Sequence, residues 1–142
     1  MFRKFTDTFG YKRSKHTEKI HHPVLGDLCL SDYWEATVTV HGKTLGFKIG
    51  GLEPDAVLVE HACDIVRSFP EFEKMIAAFL ASEADRLPGA ANEIRQLVIE
   101  DVMLCCPERP NDGMIFFTGP DKYRGWRCDY IGRKPQGLGF DS

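Results

Sequence analysis

At 142 residues the chain has the usual length of one domain, and 43% hydrophobic residues beside 27% charged ones, with ten Phe and two Trp, exclude general disorder. The formal charge of -3 is unevenly spread: residues 1–22 carry six Lys/Arg against two Asp/Glu, and the remainder carries twelve against nineteen. No apolar run reaches membrane-spanning length and MFRKFTDTFGYKRS lacks the apolar core of a secretory signal, so no membrane insertion and a cytoplasmic location are expected.

The basic stretch reads as an arm over residues 1–20, followed by one domain over 21–142. Such an arm could touch nucleic acid or an anionic surface, or lie solvated against the acidic body. Its few basic residues fall short of a nucleic-acid footprint, which disfavours that partner. HPVLGDLCLSDYW then leads through a Gly turn into strands around Leu28 and Trp34.

The next segment pairs residue for residue. With His41-Gly42 at the turn, Val40 faces Lys43, Val38 faces Leu45, Ala36 faces Phe47 and Trp34 faces Ile49. The apolar residues then share one face, and Glu35, Thr37, Thr39, Thr44 and Lys48 the other. Gly50-Gly51 ends this segment and Pro54 opens a helix with its stripe at Leu58, Ala62, Ile65, Val66 and Phe69.

Ser68, Pro70 and Glu71 predict a second helix start, with Ser68 as N-cap of a capping box. Its stripe is Phe72, Met75, Ile76, Phe79 and Leu80, extended by Leu87, with Glu73, Lys74, Glu83 and Asp85 mostly outside. Pro88-Gly89 closes it. Ala90–Cys106 is read as a short helix and then a strand, one longer helix being the alternative. Met114–Phe117, Trp126–Tyr130 and a short segment at Leu138 and Phe140 complete a strand meander. The expected fold is α+β: an antiparallel sheet with an N-terminal hairpin and a C-terminal meander, one face covered by two to three helices.

The sequence does not display a catalytic constellation. Cys29, Cys63, Cys105, Cys106 and Cys128 are odd in number and include no CxxC, which weighs against a disulfide framework and a zinc knuckle; reduced thiols are expected. Neighbouring Cys105 and Cys106 in a strand would point to opposite faces, one buried and one reachable. His21 and His22 read as solvated residues before a Pro, His41 as a turn residue, and His61 as a flank of the helix stripe. Glu100-Asp101 reads as a solvated edge, since adjacent strand residues diverge. No GxGxxG, P-loop or nucleophile elbow is present, so no catalytic residue, metal ligand or cofactor is assigned.

The run Asp121-Lys122-Tyr123-Arg124-Gly125-Trp126-Arg127 mixes aromatics with both signs of charge, the composition of protein contact surfaces. Asp121, Tyr123, Arg124, Trp126 and Arg127 are therefore the candidate partner-binding residues. The bland reading places Trp126 in the core and Tyr123 and Arg124 on a hairpin loop. A competing class is an enzyme or small-ligand protein whose site assembles from dispersed residues such as Glu35, His41, Arg127 and Asp129. A basic-arm nucleic-acid adaptor is a third.

HPVLGDL, the Trp-bearing hairpin WEATVTVHGKTLGFKI, FPEFEKMIAAFLASEA and IFFTGPDKYRGWRCDYIGRKPQGLGFDS together resemble small uncharacterised bacterial α+β domains over residues 21–142. Some members of that group resemble immunity proteins encoded beside polymorphic toxins. The resemblance implies a non-enzymatic protein-binding domain, with a toxin domain as its protein partner and occlusion by surface complementarity as its mode of action. It supplies no catalytic residues to carry over.

Overall fold

The computed structural model describes residues 18–141. The basic arm lies outside them except for its last residues, where β1 (Lys19–His22) already belongs to the sheet. The sheet continues through β2 (Gly26–Leu30), β3 (Trp34–Val40), β4 (Lys43–Ile49), β5 (Val98–Leu104), β6 (Gly113–Thr118), β7 (Gly125–Ile131) and β8 (Lys134–Asp141). Spatial order equals chain order, and among the described residues β1 and β8 are the edge strands.

The fold is α+β as expected, with one departure. Every neighbouring pair is antiparallel except β4 and β5, which run parallel because α1 (Ala56–Arg67), α2 (Phe69–Arg86) and α3 (Ala91–Ile94) intervene. A crossover of this length is what a parallel pair requires. The split of Ala90–Cys106 into helix and strand is as read.

The β3–β4 register is the one read from the alternation, from Val40↔Lys43 through to Trp34↔Ile49. His41 (φ 50°) and Gly42 (φ 77°) both take the left-handed conformation that a two-residue turn of this twist needs. Continuing the register sideways aligns Ala36, Phe47, Val102, Ile115 and Cys128 on one face, all buried. The helices cover this face with Leu58, Ala62, Ile65, Phe72, Ile76 and Leu80. Burying each Leu, Ile or Phe contributes about 1.5–3 kcal/mol, so this shared face is the main source of stability.

Three local expectations change. Asp55 caps α1, its carboxylate accepting from Val57 N at 3.1 Å. Ser68 does occupy the N-cap position of α2, but no capping box forms. Its hydroxyl donates instead to the Asp64 carbonyl at 2.7 Å, tying off the preceding helix and leaving α2 uncapped by that side chain. Glu83, expected outside, is buried because its carboxylate is held by Arg86 and accepts from the Leu138 amide of β8 at 3.3 Å.

Candidate functional site

Parallel pairing between β4 and β5 begins only at Gly46↔Asp101 and runs to Ile49↔Leu104. Before that point the two strands are not paired, leaving a fork in the sheet, and on its other edge β5 carries a bulge between Ile99 and Asp101 that inserts Glu100 as an extra residue against β6. Lys43–Leu45 and Val98–Glu100 therefore have no register partners across the gap. Helix α2 passes over this fork and roofs it into a groove of about 980 Å³.

The groove is apolar inside and charged at its rim. Leu45, Phe69, Ile76, Leu80, Leu97 and Ile99 line its interior, and Val98 lies 61% exposed at its mouth. Lys43, Glu73, Lys74 and Glu100 ring the opening, with Lys43 paired to Glu73 so that the hairpin tip is tied to α2. The volume lies at the upper end of the range for small-molecule sites. It is also large enough for several side chains of a peptide.

The segment singled out from sequence lies elsewhere and divides in two. Trp126 is 1% exposed; its indole N–H donates to Glu93 Oε2 at 2.7 Å and its ring lies against Phe140. It belongs to the core, because strand alternation in β7 turns it inward with Cys128 and Tyr130. Arg124 Nη1 donates to the other oxygen of Glu93 at 2.6 Å. Asp121 accepts from Tyr123 N, and Arg127 pairs with Asp141. Tyr123, 79% exposed, is the aromatic residue of this segment that a partner can reach.

The dispersed polar residues do not converge. Register aligns Glu35, Lys48, Met103, Met114 and Asp129 along the outer face of the sheet. Glu35 and Asp129 are thus four strand spacings apart, about 19 Å. Arg127 sits one row over and His41 at the hairpin tip.

His61 and His22 have structural duties that their sequence context did not reveal. His61 is 2% exposed; Nδ1–H donates to the Pro110 carbonyl, leaving Nε2 to accept from the Tyr130 hydroxyl at 3.3 Å. Burial holds its pKa below the ordinary imidazole value, and burial pushes the Tyr130 phenol up to about 12. Both stay neutral at pH 7, beside a dent of about 190 Å³ that Asp64 and Arg133 also line. His22 Nδ1 accepts from Val24 N and Leu25 N, closing the β1–β2 turn, and its Nε2 lies 4.0 Å from Cys63 Sγ. That sulfur is fully buried, and burial raises its pKa, so the pair is not an activated nucleophile.

Among the described residues no cluster of three or more His, Cys, Asp or Glu is arranged to hold a metal ion, and no helix is long and apolar enough to cross a membrane. Comparison with protein-family models, curated proteins and solved structures finds no match to this chain. The groove was hidden from sequence because its lining residues each read as ordinary core. Outward Val98 beside inward Leu97 and Ile99 was the available signal.

Proposed function

We propose that this chain is a binding protein that takes an apolar segment of a protein partner into the groove between α2 and the fork of the sheet. The observation that carries the reading is the groove itself: an apolar floor, a rim of both charge signs, and two strand ends with no register partners across it. Strand ends of this kind offer main-chain hydrogen bonds to an extended peptide, while the apolar floor supplies pockets for alternate side chains. The immunity-type reading, with a toxin domain as the partner, rests on the resemblance of residues 21–142 alone. Co-expression with toxin domains is its test, and absence of growth rescue counts against it.

The groove is tested by selecting ligands from a displayed peptide library and titrating them against the native chain, Ala77→Arg and Val98→Arg. Both replaced residues are exposed at the groove, so the variants should retain the native melting temperature. The expected result is a loss of at least about tenfold in affinity, about 1.4 kcal/mol, for each variant. Unchanged affinity removes the groove from the reading. A second reading, a small apolar ligand, is favoured by the groove's volume; saturable one-to-one binding of a fluorescent fatty acid without any selected peptide would replace the first reading by the second.

A further inference from the structure

Cys105 and Cys106 follow directly on the end of β5, which stops at Leu104. Beyond the strand the pleat no longer sends neighbours to opposite faces, so the expectation of one buried and one reachable thiol fails. Both are half-buried, and their sulfurs lie 3.8 Å apart.

That separation has a chemical meaning. Two sulfurs bound at about 2.3 Å to one pyramidal trivalent centre, at an angle of about 95°, stand about 3.4 Å apart, so a small side-chain rotation brings this pair onto one atom. A direct disulfide instead needs about 2.05 Å between sulfurs and usually at least about 4.4 Å between Cα atoms, which neighbours across a trans peptide, at about 3.8 Å, do not reach. The two sulfurs are therefore close enough for one bridging atom to join them, while the backbone disfavours a bond between them.

The pair is also held in place. Gly50 packs its backbone so closely on Cys105 that an added Cβ would lie 2.8 Å from the Cys105 carbonyl oxygen. The Cys106 carbonyl accepts from Arg109 N at 2.9 Å, and Arg109 Nη2 stands 3.9 Å from Cys106 Sγ. The same loop is pinned to α1 where Pro110 meets His61. Cys63 and Cys128 are buried, and Cys29 stands alone on β2.

We propose that Cys105 and Cys106 form a bidentate dithiol site for trivalent organoarsenic, a thiophilic centre that brings its own third substituent and needs two sulfurs. For a compound R–As=O, two As–S bonds form and the As=O bond breaks. The two thiol protons leave with the oxygen as one water, and no electron is transferred. Burial, with contact to Cys106, raises the pKa of the Cys105 thiol, so this sulfur enters protonated and its proton leaves in that water.

The test uses the full chain, reduced, and phenylarsine oxide, read by intact mass and by mapping of tryptic peptides. One phenylarsenic per chain is expected, located on the peptide holding Cys105 and Cys106, released by a dithiol and resistant to a monothiol. Cys105→Ser and Cys106→Ser should each lower affinity by about 10²–10⁴-fold, the advantage of two linked attachments over one. Cys29→Ser should leave it unchanged. An adduct that maps elsewhere, survives either substitution, or fails to form at equimolar reagent overturns the proposal. Because peptide mapping uses the native chain, a variant that misfolds does not obscure the outcome.

Discussion

Glu93 is the side chain whose removal should be felt most sharply outside the main core. Its two oxygens accept from the buried Trp126 indole at 2.7 Å and from Arg124 at 2.6 Å, joining α3 to β7 across 33 residues of sequence. Glu93→Ala leaves the indole N–H buried without a partner, costing about 1–3 kcal/mol, and deletes a charged hydrogen bond worth about 1.5–3 kcal/mol. Arg124, whose Nε is already buried without a partner among the described residues, would relax toward solvent and recover part of this, so a net loss of about 3 kcal/mol is expected. For a chain of this length that lowers the melting temperature by about 10 °C. Glu93→Gln keeps a carbonyl acceptor for the indole and gives up the ionic contact, so a loss of about 1 kcal/mol is expected. Urea unfolding followed by far-UV circular dichroism and tryptophan fluorescence measures both. Glu93→Ala within 0.5 kcal/mol of the native chain, or Gln as damaging as Ala, would refute the reasoning, since ±0.5 kcal/mol is about what an ordinary surface substitution does.

Stability should also depend on pH through His61. Its folded pKa lies below the unfolded value of about 6.5, so between the two the unfolded state binds the extra proton. This contribution is complete above about pH 6.5, is lost as pH falls toward the folded value, and stays level beneath it. Urea midpoints at pH 7.5 and 5 should therefore differ less in His61→Leu than in the native chain, and an unchanged difference counts against the assignment. At the sheet junction, Gly50→Ala should cost about 1–3 kcal/mol, because its Cβ meets the Cys105 backbone, which cannot step aside. Gly46→Ala should cost less, since its nearest obstacle is the Asp101 carboxylate, a side-chain end that can swing away; equal midpoints for the two variants would show this distinction to be wrong.

Much of the fold was legible because it is local. Period-two alternation about His41-Gly42 specified the first long hairpin down to its register, since a slip of one residue would turn Trp34, Ala36 and Val38 outward. The helical stripes likewise named the residues that meet the sheet. What could not be read was set by distant partners. The parallel pairing of β4 and β5 joins segments more than fifty residues apart, and the bulge at Glu100 beside the fork leaves no turn residue to announce it. Trp126 reads both as a core residue and as a contact residue until Glu93 is found at its indole N–H. His61 reads as a stripe flank until Pro110 and Tyr130 close around it. Ser68 shows the reverse case, a strong local motif whose hydroxyl finds a better acceptor in the helix before it.

The central claim is that the groove between α2 and the sheet fork is where the chain makes its contact. Amide shift mapping by NMR with a selected peptide tests it most directly. The account predicts that shifts concentrate at Lys43, Thr44, Ala77, Val98, Ile99 and Thr118, with Tyr123 and the outer-face residues Glu35 and Asp129 unmoved. Shifts confined to Tyr123 and its loop, or to the outer face of the sheet, would contradict it.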